Sequence, residues 1–443
     1  MQINPAIFKE YDIRGIYPDE IEMNAVYRIA SAFVKFLEAE HLFGPVMVGR
    51  DARKSSPELY EVCTQAVLDQ GRDVIGIETA TTPLFYYSVA ESKAAGGIMI
   101  TASHNPKQYN GMKMVKEGAV PIGFEHGIRV IKEFSSVEIP RKQSQGKKIE
   151  RSYLSKYVEF LRTYENFVRP IKLVVDASNG SAGEIVRNAF AGTNVELVPL
   201  FFAPDGDFPN HSPNPFDDES IRSASKKVIE SVSEFGVVID GDGDRIVFLN
   251  ENGKRVRSDV VGAYLADHLL RPGDVAVMTK RVTKAFREAV EGKGGDIIFS
   301  RVGHSNVKEK MREVKGVFGV EPSGHIYFQD FHYAESALLA LVYLLSFFSE
   351  QEKKFSEVVA PYNVYHSSEL NFKIENSKYV IDRLKEVYKD GVQDEFYGLT
   401  VEYPSWWFNV STSNTEPLLR LTVEADTKEL LEKKQKELES KIK

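Results

Sequence analysis

The chain of 443 residues is too long for a single hydrophobic core, and at roughly 150 residues per domain it should form about three or four domains. Hydrophobic residues make up 42% of the chain and charged residues 27%, a balance that excludes a disordered protein. Lysine and arginine total 56 against 64 aspartate and glutamate, without a long basic block, so we expect no nucleic-acid partner.

Several features bear on the compartment. The opening MQINPAIFKEYDIRG has no apolar stretch behind a basic end and is not expected to be a secretory signal. The single cysteine, Cys63, cannot form a disulfide within the chain, so a cytoplasmic location is expected. The longest apolar stretch, from Ala337 to Phe348, is shorter than the ~20 residues of a membrane helix, which predicts a buried helix and no membrane contact.

Short β-branched runs recur along the chain, and each ends in a turn rich in Gly, Asp or Ser. They are VMVGRD from Val46, GIMITASHN from Gly97, LVVDASNG from Leu173, VVIDGDGD from Val237 and VAVMTK from Val275. Amphipathic stretches follow them, and this alternation predicts βα units with mixed, mostly parallel sheets. In such sheets ligands bind where the strands end, and the most unusual polar residues of this chain lie there.

Three breaks divide the chain. The polar stretch at 141–152, RKQSQGKKIERS, is interpreted as the first linker, the turn-like ENGKR at 251–255 is the second, and a third is expected around 360–367. We therefore predict four α/β-class domains, at 1–146, 147–252, 253–364 and 365–443. The last is expected to be α+β, because it has strands around Leu370, Leu399 and Leu418 and a charged helix from Thr427.

The strongest local pattern is DGDGDR at residues 240–245, directly after an apolar strand-like run. Two glycines let the loop curl, so that Asp240, Asp242 and Asp244 can face one point. Hard oxygen ligands suit Mg²⁺ or Ca²⁺ and argue against zinc. An isolated D-x-D is more often a solvated acidic turn, but three aspartates in register at the end of a buried strand favour a metal site.

A calcium EF-hand loop is the main competitor for this string. Asp240, Asp242 and Asp244 take its first, third and fifth places, and Glu251 takes the twelfth. The sixth place requires Gly for a sharp turn and holds Arg245, and both flanks are strand-like where an EF-hand needs helices. An arginine beside a cation fits better with a site that also holds a phosphate.

A second pattern, TASHNP at residues 101–106, also ends a strand and is followed by NGMK. Ser103 can present its hydroxyl at such a turn, while His104, Asn105 and Lys113 can donate to an anion. An ordinary Ser/Asn/Pro turn explains the string equally well when it is taken alone. The G-x-S-x-G elbow of hydrolases is absent around Ser103, which gives a Ser/His hydrolase little support.

Two further strings carry small polar side chains. EPSGH at 321–325 offers a carboxylate, a hydroxyl and an imidazole that can hydrogen-bond neighbouring sugar hydroxyls. SNTEP at 413–417 offers hydroxyl, amide and backbone N–H groups suited to holding a phosphate. Each of these two strings, taken alone, is more often an ordinary turn. They support a functional site because they occur together with the DGDGDR and TASHNP strings.

Taken together, the four strings resemble the signature set of the α-D-phosphohexomutase superfamily, in its phosphomannomutase/phosphoglucomutase branch. The resemblance covers essentially the whole chain. It also includes YDIRG at 11–15, GRDAR at 49–53, PDGDFPNHSPNP at 204–215 and VGH at 302–304. Four separate loops in one order are far more specific than any single pattern.

The resemblance implies four domains around a central cleft and a mutase that interconverts hexose 1-phosphate and hexose 6-phosphate, with mannose or glucose as the sugar. It implies a phosphoserine at Ser103, Mg²⁺ as cofactor, and a hexose 1,6-bisphosphate as intermediate and activator. The four predicted domains would in turn carry the phosphoserine, the metal, the sugar contacts and the phosphate contacts. Hexose phosphates are the expected partners, and the chain is expected to be a monomer or a homodimer.

The resemblance also assigns roles to individual residues. The metal ligands would be Ser103, Asp240, Asp242 and Asp244. Catalytic roles near the reacting groups would fall to Arg14, His104, Lys113, Arg245 and His304, with Lys113 as a general acid/base or as a cation for phosphate. The sugar would be read by Glu321, Ser323 and His325, and the non-reacting phosphate held by Ser413, Asn414 and Thr415.

The chain departs from the family pattern at two positions. Members usually have an arginine where this chain has Ser411, so either another cation, such as Arg420 or a lysine of a neighbouring loop, holds the phosphate, or the affinity for phosphate is lower. Val302 lies where members of the family commonly have a threonine.

A phosphoglucosamine mutase would share most of the strings, although Gly243 and Pro322 favour the glucose/mannose branch. A binding protein without turnover is the other alternative, but it would need neither the serine nor the aspartates.

Overall fold

The computed structural model describes residues 3–374, 376–412 and 418–443 of the chain. The chain forms two compact units. One comprises Met1–Ser258 with Ser323–Ser356, and the other comprises Asp259–Pro322 with Glu357–Lys443. Besides the regular elements below, short 3₁₀ segments lie at Pro5–Ile7, Glu117–Ala119, Gln329–Phe331 and Ala360–Tyr362, and a π-helical turn lies at Phe124–Ile128.

The first sheet is mixed. Its strands are β1 (Ile13–Ile16), β2 (Val46–Arg50), β3 (Val74–Thr79), β4 (Gly96–Ile100), β5 (Tyr109–Lys116), β6 (Val120–Pro121) and β7 (Lys148–Glu150), in the order β1-β5-β4-β2-β3-β7 with β6 on β5. Strands β4, β2, β3 and β7 run parallel, and β5 is antiparallel to β1, β4 and β6. The helices are α1 (Met23–Ala39), α2 (Ser56–Asp69), α3 (Thr82–Ser92) and α4 (Arg129–Ser135).

Apolar side chains at helical spacing explain how α1 packs. Val26, Ile29, Phe33 and Leu37 recur every three or four residues, and all four are buried in a core shared with the sheet. The predicted linker at 141–152 differs from expectation, because it contains β7, which pairs in parallel with β3. All three residues of β7 are exposed. Pairing at a sheet edge uses backbone groups alone, so the strand left no apolar period in the sequence.

The second sheet has the order β12-β11-β10-β8-β9. Its strands are β8 (Ile171–Asp176), β9 (Val195–Leu200), β10 (Phe235–Ile239), β11 (Ile246–Asn250) and β12 (Arg255–Val256), and its helices are α5 (Leu154–Arg162), α6 (Gly183–Phe190) and α7 (Asp218–Ser231). Strand β8 is parallel to β9 and β10, whereas β11 is antiparallel to its neighbours. The same unit contains the antiparallel pair β16 (Ile326–Phe328) and β17 (Ala334–Glu335) and the helix α11 (Ala337–Ser349).

The second unit begins with another α/β segment. It contains α8 (Ser258–Leu269), β13 (Val275–Thr279), α9 (Lys284–Gly292), β14 (Asp296–Ser300), α10 (His304–Val314) and β15 (Phe318–Val320). Strand β13 lies between β14 and β15 and is parallel to both. Each predicted strand from Val46 to Val275 is therefore confirmed, and α11 confirms the predicted buried helix. Across the described residues, none of the helices combines the length and apolar character needed to span a membrane.

The C-terminal sheet is fully antiparallel, in the order β18-β22-β21-β20-β19. Its elements, with the short helix before them, are α12 (Phe355–Val359), β18 (His366–Phe372), α13 (Ser377–Val387), β19 (Val392–Asp394), β20 (Leu399–Tyr403), β21 (Trp406–Thr412), β22 (Leu419–Ala425) and α14 (Lys428–Ile442). Thr427 caps α14 by accepting a hydrogen bond from the backbone of Leu430. The predicted fold class, α/β with an α+β C-terminal domain, is confirmed.

A buried ion pair ends strand β8. Nε2 of His211 lies 3.0 Å from Oδ2 of Asp176, and Nδ1 lies 2.7 Å from the backbone oxygen of Ser212. Neither charged side chain is exposed to solvent. Because both ring nitrogens face acceptors, the geometry favours the doubly protonated ring. Burial lowers the pKa of His211, but the Asp176 carboxylate outweighs burial and raises the pKa above its usual value.

Replacing His211 with Gln should lower the free energy of unfolding by about 3 kcal/mol near pH 6, because it leaves the Asp176 carboxylate buried without its cation. The raised pKa means that the stabilisation is fully present below ~6.5 and is lost as the pH rises through the folded-state pKa. Urea unfolding at stepped pH should therefore show the difference between parent and variant shrinking above neutrality. The exposed His41→Gln is the control, and a difference independent of pH would contradict the charged pair.

Candidate active site

Ser103 lies in the loop after β4, at the strand end where the sequence predicts it. Its backbone is left-handed, with φ of 51°, and its side chain is buried. Oγ donates to Oδ2 of Asp240 over 3.0 Å, and the backbone N–H donates to Oγ1 of Thr101. The strained turn thus directs the hydroxyl toward the aspartates that follow β10.

The three aspartates of the DGDGD loop form one buried cluster. Asp240, Asp242 and Asp244 are fully buried, and one carboxylate oxygen from each lies within 4.8 Å of the others. A Cβ on Gly241 would lie 2.8 Å from the backbone oxygen of Ser103, and Gly243 has φ of 77°. The glycines therefore permit both the close approach of Ser103 and the curl of the loop.

The donor set of the cluster fits a divalent cation. Oδ1 of Asp240 accepts from the backbone N–H groups of Asp244 and Arg245, and Oδ2 of Asp242 accepts from Oγ1 of Thr82 over 2.6 Å. Oδ1 of Asp242 is buried and accepts no hydrogen bond from any residue that the structure describes, whereas Oδ1 of Asp244 lies 3.5 Å from Nε2 of His325 and 3.8 Å from Nε of Arg245. Buried oxygens of this kind need a partner, and hard oxygen ligands suit Mg²⁺. The cluster is therefore a metal-binding site.

The EF-hand alternative does not fit the structure. Strands β10 and β11 flank the loop where an EF-hand needs helices. Glu251, which would supply the twelfth ligand, lies beyond β11, and its carboxylate accepts from the backbone and the Oγ of Ser356. Of the four EF-hand positions, the three aspartates converge on one point and Glu251 does not.

Lys113 is buried against the cluster. Its Nζ donates to Oδ2 of Asp242 over 2.7 Å and also to Oδ2 of Asp244. Burial lowers the pKa of Lys113, but the two carboxylates outweigh burial and raise the pKa above its usual value. Of the two roles that the sequence leaves open, this geometry fits a fixed cation better than a base.

The aspartates differ in their affinity for protons. Burial, followed by repulsion from Asp244 and Asp242, raises the pKa of Asp240 well above its usual range. Burial also raises the pKa of Asp244, but the charge of Lys113 and other nearby cations outweigh it and hold that pKa well below its usual range. The cluster is thus only partly neutralised by the side chains around it.

Three more predicted residues surround Ser103. Arg14 donates to Oδ1 of Asn105 over 2.5 Å, and Nδ1 of His104 lies 3.4 Å from Oγ of Ser103. Nε of Arg245 lies 3.9 Å from Oδ2 of Asp240. Burial, then the charges of Arg245 and Arg14, lowers the pKa of His104 well below its usual value. The imidazole of His104 therefore lies beside the Ser103 hydroxyl and within the influence of the Arg245 and Arg14 charges.

The EPSGH string is divided between the two units. In the first unit, Oγ of Ser323 lies 2.9 Å from Nδ1 of His325, and Nε2 of His325 accepts from Arg245 over 3.3 Å. In the second unit, Oε1 of Glu321 accepts from the backbone N–H of Gly303, directly before His304. Ser323 and His325 thus lie with the aspartate cluster, and Glu321 lies with His304.

The predicted phosphate loop falls mostly outside the described residues, which applies to Ser413, Asn414 and Thr415. Ser411, at the end of β21, is buried and lies opposite Arg420 of β22. Arg420 donates to Oδ1 of Asn371 over 3.1 Å and lies 3.5 Å from the carboxylate of Glu369. Arg420 is therefore adjacent to the position where the family usually has an arginine.

Sequence reasoning missed Thr82 and Arg53. Thr82 donates to Asp242 from Oγ1 and from its backbone N–H, although 160 positions separate the two residues. Its local string, TTP, signals only a helix start. Arg53 lies in the GRDAR string and donates to the backbone oxygens of Ser103 and Asn105. The string marked the segment without indicating which side chain faces the serine loop.

Comparison with known proteins identifies the family of the chain. The family described as "Phosphoglucomutase/phosphomannomutase" matches with alpha/beta/alpha domain I over residues 5–139, domain II over 151–253 and domain III over 257–365. A relative from Xanthomonas campestris named "Phosphohexose mutases" is 36% identical over 94% of both chains. An Escherichia coli "Phosphomannomutase" is 35% identical over 95% of both chains.

A solved structure of a phosphoglucomutase/phosphomannomutase family protein from Burkholderia thailandensis is 30% identical, with a TM-score of 0.90 over 99% of this chain and 97% of the other. Fold and site together define an α/β enzyme, a phosphotransferase with a buried carboxylate metal site. The chain belongs to the phosphoglucomutase/phosphomannomutase family of the α-D-phosphohexomutase superfamily, which confirms the resemblance of the four strings.

Replacing Lys113 with Met should lower the free energy of unfolding by about 3 kcal/mol in EDTA, because Asp242 and Asp244 lose the cation they share. Saturating Mg²⁺ should restore more stability in the variant than in the parent, since ligand binding stabilises the folded state and the variant cluster carries more negative charge. Urea unfolding with and without Mg²⁺ measures both effects. Lys107→Met, in an exposed pair with Asp207, is the matched control.

If Lys113→Met unfolds in EDTA at the same urea concentration as the parent, the lysine is not the internal counter-ion of the cluster. A loss of stability that Mg²⁺ leaves unchanged would also contradict this account, because it would show that the lysine and the ion do not act on the same carboxylates.

Proposed function

We propose that the chain is a phosphohexomutase that interconverts hexose 1-phosphate and hexose 6-phosphate, with mannose or glucose as the sugar. The observation that carries the proposal is the hydrogen bond from Oγ of Ser103 to Asp240, within a cluster of three buried carboxylates. A hydroxyl held beside a cation site can take up and release a phosphoryl group. The names of the relatives support the choice of sugar phosphates.

The reaction would begin with phosphorylated Ser103. The free hydroxyl of a hexose monophosphate attacks the phosphorus, a new O–P bond forms, and the bond from phosphorus to Oγ of Ser103 breaks. The attacking hydroxyl gives up one proton overall and Oγ of Ser103 takes one up as it leaves, and His104, whose Nδ1 lies 3.4 Å from Oγ of Ser103, would deliver the proton to Oγ. The resulting hexose 1,6-bisphosphate turns over, and its other phosphoryl group returns to Ser103 as the isomeric monophosphate is released.

Charge stabilisation would come from the groups around Ser103. Phosphoryl transfer passes through a loose state whose negative charge is spread over the equatorial oxygens, so fixed cations are the main requirement. Arg245 and Lys113 are held there by the aspartates. Mg²⁺ bound by Ser103 and the three aspartates would supply the remaining positive charge. Turning the bisphosphate over requires that the sugar contacts accept both orientations.

Substrate contacts would come from the residues to which the family resemblance assigns them. Ser323 and His325 lie with the aspartate cluster and could donate to sugar hydroxyls. We assign Glu321 to the sugar as well, and His304 to a catalytic role. We assign the non-reacting phosphate to Ser413, Asn414 and Thr415, with Arg420 as the cation that takes the place of an arginine at position 411.

Replacing Ser103 with Ala removes the phosphoryl acceptor, so we expect mutase activity to fall by several orders of magnitude. Intact mass after incubation with glucose 1,6-bisphosphate should show one added phosphoryl group on the parent and none on the variant. Ser181→Ala is a matched control, because Ser181 is also buried and its Oγ has no hydrogen-bond partner in the described part of the chain. Near-normal turnover by Ser103→Ala would contradict the mechanism.

The same assay identifies the sugar. Mannose 1-phosphate, glucose 1-phosphate and glucosamine 1-phosphate are compared with the bisphosphate activator present, and the first two should be turned over faster. Turnover of the glucosamine phosphate alone would overturn the sugar assignment while leaving phosphoryl transfer intact. If Ser103 is not phosphorylated and none of the three is turned over, a binding protein is favoured.

A further inference from the structure

Arg53 is a buried arginine whose five N–H groups all have acceptors. Its side chain has no exposed surface, and Nε donates to Oδ2 of Asp51 over 3.1 Å. The other four N–H groups donate to the backbone oxygens of Ser103 at 2.7 Å, Asn105 at 2.6 Å, Pro106 at 2.8 Å and Tyr109 at 3.1 Å. Five donors meeting five acceptors is the full hydrogen-bonding capacity of arginine.

The four carbonyl groups belong to one segment, residues 103–109, which follows β4 and ends at Tyr109, the first residue of β5. The carbonyl oxygen of Pro106 also accepts from the backbone N–H of Tyr109. Buried carbonyl groups need donors, and a single planar guanidinium donates to all four here in one fixed geometry. The position of the Ser103 hydroxyl therefore depends on Arg53, although the two side chains do not share a hydrogen bond.

Asp51 extends this network toward the metal site. Its carboxylate accepts from Arg53 and, over 2.8 Å, from Oγ1 of Thr101. Thr101 in turn accepts from the backbone N–H of Ser103. The serine is thus fixed through its N–H group on one side and through its carbonyl group on the other.

Phe208 covers the guanidinium. Its ring centroid lies 5.2 Å from Cζ of Arg53, a cation–π contact, and the ring is almost fully buried. Phe208 belongs to the PDGDFPNHSPNP string, which the proposed reaction leaves without a role. A Cβ on Gly241 of the metal loop would lie 3.8 Å from the same ring. Phe208 therefore adjoins both the arginine and the loop that carries the aspartates.

We propose that Arg53 and Phe208 form a clamp that positions Ser103 for phosphoryl transfer. Neither residue touches the reacting atoms, so both are positioning residues. The structural part, that the clamp holds loop 103–109, stands on the hydrogen bonds alone. The kinetic part, that this holding speeds transfer to Ser103, rests on the proposed function.

Two variants weaken the clamp in different ways. Arg53→Lys keeps the charge but has three donors in place of five and lacks the planar fork. Phe208→Leu keeps an apolar side chain over the guanidinium of Arg53 and removes the aromatic ring that makes the cation–π contact. Arg50→Lys is the matched control, because Arg50 ends strand β2 three positions before Arg53 and donates to the backbone oxygen of Asp51 over a longer 3.3 Å.

The experiment on the full chain has two arms. Hydrogen exchange followed by mass spectrometry should show peptides that cover loop 103–109 exchanging about tenfold faster in both clamp variants, with helix α14 unchanged as internal reference. The rate at which glucose 1,6-bisphosphate phosphorylates Ser103 should fall about a hundredfold, since small displacements of a reacting group have large kinetic effects. Within the mutase assay, kcat should fall more than KM rises, and Arg50→Lys should resemble the parent in both arms.

The outcomes separate the clamp from the proposed function. Unchanged exchange in both variants would overturn the clamp, whether or not Ser103 is phosphorylated. Faster exchange with an unchanged phosphorylation rate would overturn the positioning role. If the parent itself is not phosphorylated, the proposed function fails, and the exchange arm still decides whether the clamp holds the loop. If Arg53→Lys does not fold, Phe208→Leu decides both arms.

Discussion

Mutual repulsion of three buried carboxylates is the constraint on which the active site depends. Asp240, Asp242 and Asp244 lie within 4.8 Å of one another, where two like charges repel by about 3–4 kcal/mol at an effective dielectric constant near 20. Lys113 offsets part of this repulsion by donating to two of them. The buried Oδ1 of Asp242, which accepts no hydrogen bond in the described part of the chain, then favours a bound cation. The negative charge of the three carboxylates thus destabilises the buried loop and also attracts a divalent cation.

Several contacts around the cluster hold it beside Ser103. The loops after β4 and β10 approach so closely that position 241 requires glycine, since a Cβ there would meet the backbone of Ser103. Thr82, at the start of α3, donates to Asp242, and so couples the first sheet to the second. Arg53 holds the loop that carries Ser103 by donating to the backbone oxygen of Ser103. The backbone of the two loops and the polar side chains around them together determine where the Ser103 hydroxyl lies.

The sequence predicts the parts of this arrangement that are local. Asp240, Asp242 and Asp244 stand out because carboxylates alternate with glycines directly after an apolar run, and Ser103 because a polar turn follows another such run. Ligands bind where the strands of an α/β sheet end, so each string could be expected to carry site residues. Because β4 and β10 belong to different sheets, the proximity of the two strings was implied by the family resemblance alone. Helices α11 and α14 were likewise predictable, one from continuous apolar character and the other from its Thr427 cap.

The parts that could not be predicted depend on contacts between distant segments. Nothing around Thr82 indicates a bond to Asp242, and nothing in GRDAR indicates that Arg53 faces four carbonyl groups. Strand β7 has only exposed side chains, so its pairing left no pattern in the sequence. The domain boundaries and the role of the phosphate loop stay predictions.

Passage of the phosphoryl group through Ser103 is tested most directly by following a label. The protein is phosphorylated with radioactive hexose 1,6-bisphosphate, freed of reagent, and mixed with unlabelled hexose 1-phosphate and Mg²⁺ for a single turnover. The account predicts that label leaves Ser103 and appears on the sugar, first in the bisphosphate and then at the 6-position of the product. Formation of hexose 6-phosphate while the label stays on the protein would contradict it.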